Sequence, residues 1–199
     1  MNIAVLCSGN GTNLQAIIDS VKSGYIPASV KLVVSDKKKA FALVRAKSAN
    51  IKTIVLDPKD YKTREAFDKE LLRHLKEEKI SLVVLAGYMR LLSRIFVKEY
   101  RNKIMNIHPA LLPSFKGTHG VRDALEYGVK VTGPTVHFVD EELDNGPIIL
   151  QKAIEIKDDD TEEALLERVH IEEHKIYPQA IKLFVEGRIR VEGRKVRVT

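Results

Sequence analysis

The sequence predicts an α/β fold, a doubly wound and mostly parallel sheet with helices on both faces and an antiparallel strand near its C-terminal part. Three observations predict it. Short apolar runs alternate with segments whose apolar residues recur at three- and four-residue spacing, the rhythm of strand and helix in turn. The first run ends in a glycine-rich turn that opens directly into a helix pattern. After Pro113 the alternation stops, and two apolar runs flank a polar turn, as in an antiparallel pair. With 199 residues and neither a repeat nor a low-complexity linker, a single domain is expected.

Asn2 to Cys7 form a first strand apolar enough to be covered on both faces. Ser8-Gly9-Asn10-Gly11-Thr12-Asn13-Leu14 is the turn, and Gln15 to Ile18 continue as helix. Glycines let the backbone approach a ligand and a helix start offers free N–H groups. This is therefore an anion site, with Thr12 and Asn13 placed to cap the helix and touch a phosphate. Leu14 stands where a dinucleotide fingerprint needs its third glycine, and no Gly-Lys-Ser/Thr follows, so a phosphomonoester fits best. A plain tight turn is the alternative.

Val30 to Ser35 and Ile51 to Leu56 read as strands on either side of a helix from Lys39 to Ala49. Tyr61 to Glu78 is helical, with Ala66, Phe67, Leu71, Leu72 and Leu75 as its buried stripe. Ile80 to Ala86 is the most apolar strand. It runs into Gly87-Tyr88-Met89-Arg90-Leu91-Leu92, where a glycine followed by large apolar residues can wall a pocket for a flat ring. A helix around Ser93 to Tyr100 precedes the strand at Ile104 to His108. Beyond it lie a loop at Ser114 to Gly120, a short helix at Val121 to Tyr127, and a strand from Val131 to Val139 interrupted at Gly133-Pro134. An acidic turn, Asp140 to Pro147, joins this to an alternating strand, Ile148 to Ile156. Thr161-Glu162-Glu163 starts a helix that reaches Val185, with Ala164, Leu165, Val169, Ile176 and Ile181 facing inward and Pro178 as a kink. Residues 188–199 suit a terminal hairpin.

The composition is that of a globular protein, 44% hydrophobic and 30% charged. Of the six net positive charges, four lie after Gly187, where Arg188, Arg190, Arg194, Lys195 and Arg197 stand against Glu192. With few aromatics and no basic stripe elsewhere, nucleic-acid binding is disfavoured. The single Cys7 excludes an intramolecular disulfide and sits in a core-like run. Met1 leads straight into a strand pattern, and no apolar run approaches the roughly 20 residues that span a bilayer. A cytoplasmic protein is expected, with no membrane partner.

The chemistry converges on Ile104 to Pro113. Asn106 and His108, two apart on a strand, point to one face just before Pro109 ends it. Buried polar groups need partners, and open α/β sheets bind ligands at the carboxyl ends of strands. If Asp144 from the acidic turn approaches the imidazole, it favours the charged ring and fixes its orientation, and Asn106 can donate to an oxygen that gains negative charge. The set suits acyl transfer. A Ser-His-Asp hydrolase lacks its nucleophile, since Ser8 and Ser114 are loop serines. Zinc held by His108, His119, His137 and Asp144 lacks a short anchoring His pair, and His170 and His174 have that spacing without the glutamate that should follow the first. We expect no metal.

Four motifs together resemble the folate-dependent phosphoribosylglycinamide formyltransferases of purine synthesis. They are Ser8 to Gln15, Ala86 to Ser93, Asn106 to Pro113 and His137 to Pro147, in a likeness covering Ile3 to about Gly187. The resemblance implies a Rossmann-like fold and one formyltransferase domain, residues 1–187. A nucleotide-binding half would occupy about 1–100 and a folate-binding half about 101–187, with a basic extension at 188–199. It implies formyl transfer from 10-formyltetrahydrofolate, as cosubstrate, to glycinamide ribonucleotide, with Asn106, His108 and Asp144 as the catalytic trio. Gly11, Thr12 and Asn13 would hold the substrate phosphate, and Glu173 would contact the glycinamide end. Arg64, Met89, Arg90, Leu91, Leu92 and Asn106 would meet the folate, with Asp140, Glu141, Glu142, Leu143 and Asp144 closing over its pterin and Arg90 pairing a carboxylate.

Two departures stand out. Positions 170–172 are His-Ile-Glu where relatives more often carry glutamine, and Phe115 to His119 lacks the relatives' proline. The formyl-transfer core is shared with formyltetrahydrofolate hydrolases and methionyl-tRNA formyltransferases, whose extra domains find no room in 199 residues. A non-catalytic nucleotide-binding module is the reading from another class, and it leaves Asn106, His108 and Asp144 without a purpose. Small-molecule substrates and a monomer or homodimer are expected.

Overall fold

Ile3, Ala4, Val5, Leu6 and Cys7 are all fully buried, as a central strand covered on both faces requires. In the computed structural model, which describes residues 1–199, this strand is β1 (Asn2–Cys7). It pairs in parallel with β2 (Ser29–Ser35) and β4 (Leu82–Leu85), and β2 pairs in parallel with β3 (Lys52–Val55). Helices α1 (Thr12–Lys22), α2 (Phe41–Ser48), α3 (Arg64–Glu77) and α4 (Arg94–Glu99) follow β1, β2, β3 and β4 in turn. With β5 (Ile104–His108), β7 (Thr135–Phe138) and β8 (Ile148–Gln151), the main sheet has the order β3-β2-β1-β4-β5-β7-β8. The expected α/β architecture is present, including its antiparallel C-terminal strand, β8 against β7.

The chain divides into two compact units, Met1–Met105 and Asn106–Thr199, and β5 crosses the boundary. In the first, α2 begins at Phe41, two residues later than the expected Lys39. Helix α3 begins at Arg64 instead of Tyr61 because the Thr63 hydroxyl accepts from Ala66 N and caps it there. Before it, Pro58–Asp60 form a separate 3-10 turn capped by Asp57. Phe67, Leu71, Leu72 and Leu75 are buried as the periodicity requires, and the polar Asp68 is buried with them.

In the second unit, the long apolar run after Lys130 splits into β6 (Val131–Thr132) and β7. Gly133, at φ 141°, passes so close to the Lys152 carbonyl that a Cβ would lie 1.9 Å from it. The next run splits likewise into β8 and β9 (Ile154–Glu155), and β9 pairs with β6. Short helix α5 (Gly120–Tyr127) packs Val121 and Ala124 against Leu165 and Val169 of α6 (Glu162–Val185). The Thr161 hydroxyl caps α6, and Pro178 is buried within it. Ala164 is exposed, against expectation, because the inward stripe starts at Leu165. The chain closes with a hairpin of β10 (Ile189–Glu192) and β11 (Lys195–Val198). No helix is long and apolar enough to cross a membrane.

Candidate active site

In the second unit, β5 delivers Asn106 and His108 to its carboxyl end, and the turn that follows is fastened to β7. The Thr135 hydroxyl donates to Ala110 O at 2.7 Å and accepts from Leu112 N at 3.1 Å. The Gln151 amide reaches both the Thr135 hydroxyl and Leu112 O, at 3.0 and 2.9 Å. The direction in which His108 leaves the strand is thereby fixed by buried hydrogen bonds.

His108 is 3% exposed. Its Nε2 donates to the Phe115 carbonyl at 2.7 Å, and its Nδ1 lies 3.5 Å from Asp144 Oδ2. The Phe115 carbonyl only accepts, so Nε2 carries a proton, and the Asp144 carboxylate stands on the other side of the ring. Asp144 holds a left-handed backbone, φ 46°, and its Oδ2 accepts from Gly117 N at 2.9 Å. Gly120 crosses the imidazole so closely that a Cβ there would sit 3.2 Å from His108 Nε2.

Asn106 is oriented by His137. The Nδ1 of His137 lies 2.8 Å from the Phe138 carbonyl, which only accepts, so this nitrogen carries the proton. Burial keeps the ring below its ordinary pKa, hence neutral, and Nε2 is left as an acceptor for Asn106 Nδ2 at 3.2 Å. The second Nδ2–H of Asn106 is then available to a ligand. Sequence reasoning met His137 as a possible metal ligand and as the start of a family motif, gave it no role in orienting Asn106, and did not single out Thr135. Their i, i+2 spacing in an apolar strand, the same signal that marked Asn106 and His108, could have found both.

Of the acidic turn, Asp140 accepts from Glu142 N at 3.0 Å and Asn145 Nδ2 at 2.9 Å, while Glu141, Glu142 and Leu143 are exposed. Glu173 is buried on α6, where His170 and His174 stack 6.4 Å apart and burial holds both below their ordinary pKa. No group of three or more His, Cys, Asp or Glu is arranged to hold a metal.

In the first unit, the glycine-rich turn is shaped by its neighbours. Gly11 has φ 77°, and a Cβ there would lie 2.7 Å from that of Ala42, so only glycine fits. Gly11 is itself the N-cap of α1 and no side chain caps the helix, a correction to the capping expected of Thr12 and Asn13. The helix start offers backbone N–H groups, as an anion site requires. Arg45, which sequence reasoning missed, braces the turn. Its Nε donates to Asn10 O at 2.9 Å, its Nη2 to Asn10 Oδ1 at 3.1 Å and its Nη1 to Gln15 Oε1 at 3.4 Å.

The Ser8 hydroxyl accepts from Met89 N at 3.0 Å, tying this turn to the segment after β4. There Met89 and Leu91 are 63% and 57% exposed, and Leu92 is half-buried. Arg90 lies over the Phe67 ring at 4.6 Å. The buried Asp68 accepts from Ser93 N at 2.5 Å, and burial raises its carboxyl pKa against the pull of Ser93, Arg90 and Arg64. Arg64 and Arg90 therefore share one electrostatic neighbour.

The profile of the formyl transferase family matches residues 1–181. The chain is 47% identical over 191 residues to phosphoribosylglycinamide formyltransferase of Escherichia coli, an alignment covering 96% of this chain and 90% of that protein. It is 48% identical to part of the human trifunctional purine biosynthetic protein adenosine-3, covering 95% of this chain and 19% of that one. The crystal structure of glycinamide ribonucleotide transformylase 1 from Symbiobacterium toebii superposes with a TM-score of 0.98 at 50% identity, covering 100% of this chain and 93% of that one. A profile matched over most of the sequence, relatives aligned nearly end to end and a shared fold lead to one conclusion: the chain belongs to the formyl transferase family.

Proposed function

We propose that this chain moves the formyl group of 10-formyltetrahydrofolate onto the amine of glycinamide ribonucleotide. The products are formylglycinamide ribonucleotide and tetrahydrofolate, a step of de novo purine biosynthesis. The observation that carries the chemistry is the buried His108, with Asp144 3.5 Å from one nitrogen and Asn106 two residues away on the same strand face.

The substrate amine attacks the formyl carbon, a C–N bond forms, and the carbonyl electrons move onto oxygen to give a tetrahedral intermediate. Asn106 Nδ2–H and an N–H of protonated His108 stabilise that oxyanion. The Phe115 carbonyl, which accepts from His108 Nε2 here, gives up this donor to the stronger acceptor. His108 gives its proton to N10 of the folate and takes the amine proton in return, with Asp144 and water carrying it between them. The C–N10 bond then breaks and the carbonyl re-forms. No covalent enzyme intermediate and no metal take part.

The substrate phosphate is held by Gly11, Thr12 and Asn13, supported by the positive φ of Gly11 and the uncapped start of α1. Glu173 orients the amine of the glycinamide end by accepting one of its N–H groups. The folate is held by Arg64 and Met89 to Leu92, with Arg90 on a carboxylate and Asp140 to Asp144 over the pterin. Met89 and Leu91, 63% and 57% exposed, leave their apolar side chains accessible to a flat ring there. The enzyme is read as cytoplasmic, a monomer or homodimer that acts on small molecules and not on nucleic acid.

The test is an assay with 10-formyltetrahydrofolate and glycinamide ribonucleotide in which formylated product and free formate are both measured. Stoichiometric formylated ribonucleotide is expected. Formate without it would assign a hydrolase, and neither product would leave only a binding module.

A further inference from the structure

The basic hairpin at the chain's end has no part in the chemistry above, yet its own charges are largely committed. Arg190 and Arg197 both pair with Glu192, at 3.1 and 2.9 Å, on one face of the hairpin. Arg188 binds the Thr199 carbonyl and lies 3.8 Å from Glu186. Backbone bonds from Arg188 N to Leu183 O and from Thr199 N to Arg188 O lock the base onto the end of α6. Ile189, Val191 and Val196 are half-buried on the opposite face. The two-residue turn Gly193-Arg194, with Gly193 at φ 60°, closes the tip. Arg194 is thus presented from a hairpin fixed at its base and along one side, and its Nη2 donates to the Asn145 carbonyl at 2.7 Å.

Asn145 follows Asp144 directly. The loop here holds a strained residue, Asp144 at φ 46°, between fixed points. On one side Asp140 accepts from Glu142 N and from the Asn145 side chain. On the other, Gly146 lies so close to the Phe138 carbonyl that a Cβ would fall 1.8 Å from it. The Arg194 guanidinium holds the one backbone carbonyl between the strained residue and that glycine, with a charge-assisted bond.

We infer that Arg194 is a positioning residue for formyl transfer: the C-terminal hairpin holds the Asn145 carbonyl so that the Asp144 carboxylate stays aimed at His108. The 3.5 Å separation of Asp144 Oδ2 from His108 Nδ1 leaves no margin for a loop that drifts. This inference rests on the role given to Asp144 above.

The test is a double-mutant cycle in the full-length chain, with kcat and both KM values measured for Arg194→Ala, Arg194→Lys, Asp144→Asn and the Arg194→Ala/Asp144→Asn pair. Arg190→Ala removes the same charge from the same hairpin without touching the loop, and serves as the control. Arg194→Ala is expected to lower kcat about fivefold with KM for the ribonucleotide within about twofold, and Arg194→Lys to recover most of the loss. Arg190→Ala stays at the wild-type rate. In the Asp144→Asn background, Arg194→Ala lowers kcat no further, because what it positions is already gone. Multiplicative losses, an unchanged kcat in Arg194→Ala, or an equal loss in Arg190→Ala would overturn the inference. An Asp144→Asn enzyme of undiminished kcat would instead break the assignment of Asp144 on which it rests.

Discussion

The glycine-rich turn in the first unit and the strand-end site in the second are both built at the carboxyl end of a buried strand, yet from opposite materials. The turn at Gly11 offers backbone: a positive φ, a helix start without a side-chain cap, and a close approach to Ala42. The site at His108 offers side chains, and each is aimed by another. Phe115 O and Asp144 hold His108, His137 holds Asn106, and Gly117 N holds Asp144. A phosphate keeps its charge through the reaction and needs only steady donors, which backbone supplies. A formyl carbon changes its charge and geometry, and the groups around it must donate, accept and move protons, which only side chains can do.

The comparison can be broken most sharply in the second unit. Asp144→Asn keeps the shape of the carboxylate and removes its charge, and kcat is expected to fall about 10³-fold, with Asn106→Ala about 10²-fold, measured under saturating substrates. A change confined to KM in either variant would move these residues from chemistry to binding. In the first unit the expected pattern is the reverse. Gly11→Ala forces a Cβ against Ala42 and should raise the KM for glycinamide ribonucleotide about tenfold or more, while kcat at saturation stays near wild type. Arg45→Ala releases the Asn10 carbonyl and side chain, and a threefold to fivefold rise in the same KM, again without a loss of kcat, is expected from roughly 1 kcal/mol of lost bracing.

Much of both sites was legible from sequence, for a physical reason. Asn106 and His108 stood out because polar side chains at i, i+2 on an apolar strand need an explanation, and Gly11 because glycine has few uses other than conformation. Their supports were hidden. Arg45 lies on a helix like any surface arginine until the fold brings it to Asn10. Asp68 sits one step from the apolar stripe of α3, and its buried carboxylate is met by Ser93 N, a partner 25 residues away. The α3 start is not legible in the apolar pattern, which says nothing of Thr63, whose hydroxyl sets the boundary. Hydrophobic spacing reports which face is buried; partners distant in sequence are set by topology, which spacing does not encode.

Smaller effects sharpen the account of burial. The folded state holds His137 below its ordinary 6.5, chiefly by desolvation, so between the folded and the unfolded values only the unfolded chain binds the proton. Stability is therefore fully present above about 6.5 and falls as pH drops through that window, and His170 and His174 add in the same direction. Melting temperature followed from about pH 8 to 5 should fall less steeply for His137→Gln than for wild type. Parallel curves would show that His137 is not the neutral, buried acceptor assigned to it. The smallest effect concerns Cys7, whose thiol burial pushes up to about 12, so a thiol reagent should label it only as the chain unfolds.

The division of labour between backbone and side chains is tested most directly by one variant measured two ways. For His108→Ala, the single-turnover rate of formyl transfer and the calorimetric Kd for glycinamide ribonucleotide should separate. The rate should fall by about three or more powers of ten and the Kd should move less than about threefold. Equal losses in rate and affinity, or no loss in either, would contradict the account and return His108 to an ordinary buried histidine.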